Sequence, residues 1–225
     1  VDALHSNDPD FKSTTKDVVR LINELHTEKN VDGFILDLRN NGGGFLQEAT
    51  MLTDLFIGKG PIVQVKNANN VTSRAHQSRS SIYYNGPLLV LINRLSASAS
   101  EIFAGAIQDY NRGLIVGSKS YGKGTVQIQL PLKEGQIKLT ESKFYRVSGE
   151  STQLLGIIPD IELPSPCDIE RVGESALKNA LPRDTIAPAK HSIYWSALLK
   201  NPPIDILRRS HHKRLLEDPD LVYLK

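Results

Sequence analysis

Three short runs in this 225-residue sequence combine residue types that can do chemistry: Arg39-Asn40-Asn41-Gly42-Gly43-Gly44, Ser96-Ala97-Ser98-Ala99-Ser100-Glu101 and Ser118-Lys119-Ser120-Tyr121-Gly122-Lys123-Gly124. A serine hydroxyl becomes a nucleophile when a neighbouring base takes its proton. It is well mounted at a helix N-terminus, where free amides and the helix dipole favour negative charge. Consecutive glycines allow positive φ and the close approach of another group. A lysine is a base only when neutral, which requires a pKa depressed by burial or by another cation. Each run also has a plainer reading. Serines before a helix usually cap it, a glycine run is usually a tight turn, and a loop lysine is usually solvated. The base is open at this point. His5, His26, His76, His191, His211 and His212 all lie away from the three runs in sequence, but distant histidines can converge in space, so a Ser-His-Asp arrangement and a lysine base both stand. Gly122-Lys123-Gly124 fails as a phosphate loop. Gly117 supplies the first glycine, but Gly124 stands where serine or threonine is needed.

The elements around these runs follow from periodicity. Val18, Leu21, Ile22 and Leu25 recur at helical spacing after a capping Ser13 or Thr14. Gly33 to Leu38 is a short apolar run that reads as a buried strand and feeds the glycine loop. Leu46, Ala49, Leu52, Leu55 and Phe56 read as a second helix. Pro61–Val65 and Val71–Ala75 read as strands around a turn at Asn67–Asn70, followed by a polar stretch to Ser81. Pro87 to Ile92 is the strongest strand, and the serine run leads from it into a helix through Ile102, Phe103, Ala106 and Ile107. Leu114-Ile115-Val116 is a further buried strand. From Thr125 the period drops to two, with Glu134-Gly135 between the runs, which marks a hairpin. Strands alternating with helices imply an α/β domain with parallel pairing, and the hairpin adds an antiparallel extension. The three reactive runs each follow an apolar strand, and ligands gather at the carboxyl ends of such strands.

Composition sets the outer limits. Hydrophobic residues make up 40% and charged residues 23%, a globular balance that argues against disorder. The net charge of +2 gives no basis for a nucleic-acid binder. The single cysteine, Cys167, excludes an intramolecular disulfide and a cysteine zinc cluster. No apolar run has the length of a membrane span. The sequence starts at Val1 and its one methionine is Met51, so a processed or excised chain is expected. Beyond about Pro164 the composition shifts towards proline and charge, with Trp195. A helical segment is expected around Glu170–Ala180, and residues 182–225 read as a basic helical appendage with a frayed end. Its run from Arg208 to Arg214 is chemically suited to peripheral contact with an anionic membrane surface, although such runs more often form a solvated helix face.

Taken together, and in this order, the motifs resemble the C-terminal processing peptidases, or tail-specific proteases. The matching stretches are Leu36–Gly44, Ser96–Glu101 and Tyr121-Gly122-Lys123-Gly124-Thr125-Val126-Gln127, followed by Lys138-Leu139-Thr140 and Leu155-Gly156-Ile157-Ile158-Pro159-Asp160. The likeness is close over residues 13–165, and the tail is more loosely similar to the proteobacterial periplasmic branch. The resemblance implies a ClpP/crotonase-like fold of stacked β-α units. It implies a serine-protease core over 1–165, incomplete at its N-terminus, and a helical appendage over 166–225. It implies a Ser–Lys dyad in which Ser98 is the nucleophile and Lys123, 25 residues on, the general base. Gln127 would orient the lysine, Asp109 would lie on the helix behind the site, and the amides of Gly43 and Ala99 would form the oxyanion hole.

The resemblance implies no metal and no cofactor. It implies protein or peptide substrates bound in extended form and recognised by their C-terminal tails, a periplasmic setting, and room for an adaptor protein. Two departures stand out. Gly42 replaces a proline of many relatives, and Ser118-Lys119-Ser120 replaces Glu-Pro-Thr, bringing Lys119 as a second cation for Lys123. The PDZ module that relatives use to capture tails has no counterpart here and is expected to precede Val1; a fragment lacking it could be inactive. The competing reading is a non-catalytic ligand- or protein-binding module on the same fold, since fold does not fix function. An acyl-CoA-type enzyme would need an adenine-nucleotide site, and no such motif is found.

Overall fold

The computed structural model describes residues 12–28, 31–67, 71–76, 82–190 and 204–223. The N-terminal loop, most of the Asn67–Asn70 turn, residues 77–81 and Trp195 lie outside them.

A parallel four-stranded sheet carries the three loops. Its strands are β1 (Phe34–Asp37), β4 (Leu88–Ile92), β5 (Leu114–Gly117) and β8 (Ile161–Glu162), in the order β1-β4-β5-β8. β4 is central because it is the most apolar strand, and Val90 and Ile92 are fully buried. β1 departs from the expected buried strand. It lies at the sheet edge, and Ile35 is 68% exposed while Leu38 just beyond it is buried. An edge strand has only one paired side, so a continuous apolar run here reflects one packed face.

The helices are α1 (Thr14–Glu28), α2 (Leu46–Asp54) and α3 (Ala99–Asp109). Ser13 caps α1, its Oγ accepting the Lys16 amide at 3.3 Å. α2 and α3 pack against the sheet around Phe56, Ile57, Phe103 and Ile107, all essentially inaccessible to water. Buried Arg112, after α3, donates from Nε to Phe56 O at 2.8 Å and from Nη2 to Tyr84 O at 2.7 Å, satisfying loop carbonyls that water cannot reach.

The second sheet is antiparallel, in the order β3-β2-β7-β6, with β2 (Gly60–Lys66), β3 (Val71–His76), β6 (Thr125–Pro131) and β7 (Gln136–Tyr145). The β6–β7 hairpin turns at Gly135, which takes φ 81°. The ladder skips Glu141 between the pairs Val126–Ser142 and Gln127–Thr140, a bulge beside Lys123.

The C-terminal stretch differs from expectation. Residues 170–180 hold only a 3₁₀ turn at Glu174–Ala176. The guanidinium of Arg94 takes the carbonyls of Ile169 (3.2 Å) and Val172 (2.6 Å), which an α-helix would need for its own amides. Gly173 sits at φ 126°, outside the helical region, against that guanidinium. Residues 182–190 are not helical either. They run beside the turn that follows β7, where Ile186 and Ala189 amides bond to Gly149 and Val147 carbonyls. Among the described residues, the appendage is α-helical over α4 (Ile204–Glu217) and α5 (Pro219–Tyr223). The basic run lies on α4, where Arg208 Nε donates to Asp160 O at 2.8 Å and His211 Nε2 lies 2.8 Å from Glu162 O. One face of this run therefore covers the free edge of β8. No described helix is long and apolar enough to cross a membrane.

Candidate active site

The carboxyl ends of β1, β4 and β5 point to one edge, so the glycine, serine and lysine loops meet there. Asn93, at the end of β4, ties the first two together. Its Oδ1 accepts the Asn40 amide at 2.9 Å, and its Nδ2 donates to Asn40 Oδ1 at 2.8 Å. Ser96 Oγ donates to Leu38 O at 2.8 Å, and Ser100 Oγ donates to Asn41 O at 3.0 Å. Ser96 and Ser100 are thus structural, with buried hydroxyls that brace the loops.

Ser98 is different. It is half-buried and sits at φ 56°, ψ −112°, a conformation that serine rarely adopts. Such a strained turn between strand and helix holds a nucleophile clear of the backbone. Ala99 opens α3, and its amide has no acceptor among the described residues. Gly43, at φ 95°, presses on the same turn: a Cβ there would lie 2.9 Å from Ser98 Cβ and 2.6 Å from Ala97 O. Only glycine fits. The Gly43 amide, however, donates to Asn41 Oδ1 at 3.0 Å, so one of the two expected oxyanion donors is occupied.

Lys123 is half-buried, and its Nζ donates to Gln127 Oε1 at 3.2 Å. Burial lowers its pKa, and the cation of Lys138 on β7 lowers it further, while Glu174 and Glu101 pull the other way. The second cation is therefore Lys138, supplied by the hairpin, rather than neighbouring Lys119. Ser98 and Lys123 share no direct hydrogen bond. Asp109 does not join the group. It lies at the far end of α3, where Arg146 Nε donates to its Oδ2 at 3.2 Å.

The residue that sequence reasoning missed is Glu101. It lies in the first turn of α3, and its Oε2 accepts the Ser98 amide at 2.7 Å. The same oxygen accepts the Lys123 amide at 3.0 Å, and Oε1 accepts Gly122 N at 2.7 Å and Ser120 Oγ at 2.6 Å. One buried carboxylate therefore locks the serine turn to the lysine loop. Burial pushes its pKa up to about 7, against the pull of those four donors.

An apolar cavity of about 50 Å³ opens beside Gly43 and Ala99, lined by Leu38, Phe45, Ala49, Leu52 and Phe103. Glu48 closes one side, with Ser13 Oγ and the Thr15 amide already bonded to its carboxylate.

The strained serine, glycine turn and half-buried lysine meet at one sheet edge, an arrangement of groups suited to acyl transfer through a serine nucleophile. The chain belongs to peptidase family S41, whose pattern it matches over residues 8–163, and residues 167–225 match the C-terminal domain of tail-specific protease. It is 42% identical over 221 residues to the tail-specific protease of Haemophilus influenzae, covering 93% of this chain and 31% of that protein. It is also 42% identical over 159 residues to the carboxy-terminal-processing protease of Bartonella bacilliformis, covering 70% of this chain and 36% of that one. The chain thus spans about a third of the length of these relatives. The photosystem II D1 C-terminal processing protease superposes with a TM-score of 0.60 at 32% identity, over 69% of this chain and 41% of that one. Mature CPAF superposes at 0.56 with 18% identity, over 74% and 45%, a likeness of fold alone.

Proposed function

We propose that this chain is the catalytic part of an endopeptidase with a Ser98–Lys123 dyad, acting on proteins presented by their C-terminal tails. The observation that carries the reading is Glu101, whose single oxygen Oε2 holds the amides of both Ser98 and Lys123. A structural carboxylate has no reason to join these two loops unless their relative position matters.

The chemistry follows from the groups present. Neutral Lys123, its pKa depressed by burial and Lys138, takes the proton of Ser98 Oγ. The alkoxide attacks a peptide carbonyl, and the amides of Ala99 and Gly43 receive the oxyanion. For Gly43 this means exchanging Asn41 Oδ1 for substrate, and for Lys123 it means turning from Gln127 towards Ser98. Protonated Lys123 then delivers its proton to the leaving amine. Water, activated by the same lysine, hydrolyses the acyl-enzyme. The apolar cavity beside Gly43 and Ala99 suits a small apolar side chain on the acyl side of the bond. Asp109 acts at a distance in this scheme, by fixing the end of α3 through Arg146. Tail recognition fits the relatives' names, and a periplasmic setting and an adaptor protein, implied by the family resemblance, are part of the same proposal.

Ser98→Ala and Lys123→Ala should each lower cleavage of an unfolded protein substrate at least a thousandfold, about the scale of a lost nucleophile or base. Circular dichroism should stay unchanged. A Lys123→Ala protein with wild-type turnover would remove the dyad.

A further inference from the structure

A second cavity, of about 390 Å³, lies on the lysine side of the site. One wall is the polar face of the β6–β7 hairpin, with Thr125, Gln127 and Thr140; the other is the segment 174–181, with Glu174, Lys178 and Asn179. That segment lies beyond the peptidase match, within the C-terminal domain match.

Two buried polar side chains fix it in place. Gln153 accepts the Gly124 amide at 2.8 Å and donates from Nε2 to Glu174 Oε1 at 3.2 Å and to Leu181 O at 3.0 Å. It therefore pins both ends of the segment to the residue after Lys123. Arg94 holds the stretch before it, donating to Ile169 O and Val172 O and also to Ser120 O in the lysine loop. A surface turn needs no such anchoring.

The two cavities share no lining residue. The apolar one touches the serine and glycine loops, where the acyl group must lie, and the second touches the strand that carries Gln127. In peptide cleavage the base that protonates the leaving amine stands on the leaving side of the bond. We propose that the 174–181 segment and the hairpin form the leaving-side subsite, which holds two or three residues of an extended polypeptide past the scissile bond. This rests on the Ser98–Lys123 reading. The volume suits two or three residues rather than a folded domain. The walls offer hydroxyl, amide and backbone groups, one buried carboxylate and one exposed ammonium, and the apolar side chains of Leu177, Ala180 and Leu181. They suit an extended chain with short, uncharged side chains.

The test uses two substrates of the full chain, each with the same acyl-side alanine. One is the methyl ester of N-acetyl-alanine, whose one-carbon leaving group places no side chain in the groove. The other is a peptide extended by three serines past the cleaved bond. Asn179→Trp and Thr140→Trp block the groove from opposite walls, both from exposed positions. The proposal expects the ratio of peptide to ester kcat/KM to fall at least tenfold in both variants. A ratio within twofold of wild type in both would overturn it, whether or not the absolute rates change. Ester hydrolysis that survives Ser98→Ala would instead bring down the dyad reading beneath it.

Discussion

Lys123 and Gln127 make the sharpest claim at the residue scale. The Gln127 oxygen accepts a hydrogen bond from Nζ, and such a bond favours the ammonium over the neutral amine. Burial and Lys138 act against it and lower the pKa. Because the proposed dyad needs the neutral amine, kcat/KM should rise with pH and level off once the depressed lysine pKa is passed. Gln127→Leu should move that limb to lower pH and reduce the plateau about tenfold to a hundredfold. The opposing shifts separate an orienting role from a merely structural one, and a limb that stays in place would argue against the assignment. Glu101 supports a second claim. All four of its partners are N–H or O–H donors. Glutamine offers one acceptor oxygen and turns an NH₂ towards the other two donors. Glu101→Gln should therefore cost about 1–3 kcal/mol for each stranded donor, read as a lower urea midpoint, together with at least a tenfold loss of kcat/KM.

At the scale of elements, the boundary between catalytic core and C-terminal segment is bridged by Arg94. This side chain, 2% exposed, donates to Ser120 O, Val172 O, Ile169 O and Ser175 Oγ. Arg94→Met would leave carbonyls without donors at about 1–3 kcal/mol each. Limited proteolysis should then cut within 169–181 much faster than in wild type, with the rest of the fold protected; equal cutting rates would show that the bridge is dispensable. The same residue marks where sequence reading stopped. The helices over 14–28 and 99–109, the parallel strands and the hairpin were legible because hydrophobic period and turn residues are local signals. The convergence of the loops that carry Ser98 and Lys123, and the contact of Lys123 with Gln127, were legible through motifs and spacing. Arg94, Gln153 and the second half of Glu101's role were not. Their partners are mostly backbone groups far away in sequence, and a backbone carbonyl carries no residue signature. The expected helix at 170–180 failed for that reason: the carbonyls of Ile169 and Val172 at its start belong to Arg94. The Lys119 expectation failed because sequence adjacency says nothing of the hairpin that brings Lys138 close.

At the scale of the whole molecule the site is a junction of three parts: the parallel sheet supplies Ser98 and Gly43, the hairpin of the second sheet supplies Gln127 and Lys138, and the C-terminal segment closes the lysine side. A site assembled this way ties global stability to the titration of its buried groups, and the signs can be worked out. Glu101 has a folded pKa of about 7 against an ordinary 4.5. Between those values the native state holds more protons than the unfolded chain. Stability should therefore fall as pH rises through that window, by up to about 1.4 kcal/mol per pH unit. Lys123 acts in the opposite direction and elsewhere. With its folded pKa below 10.5, the native state holds fewer protons, and stability should rise as pH climbs towards 10.5. Asp37 and Asp184 have lowered pKa values, beside Arg39 in one case and Lys143 in the other. Their contribution is present above pH 3.8 and fades as pH falls through their folded values. Urea midpoints from pH 3 to pH 10 should therefore pass through a maximum on the acid side of neutrality. In Glu101→Gln the fall between pH 4.5 and pH 7 should disappear while the acid limb remains. If the variant kept the wild-type slope in that window, the proton would reside on another group and Glu101 would be ionised throughout.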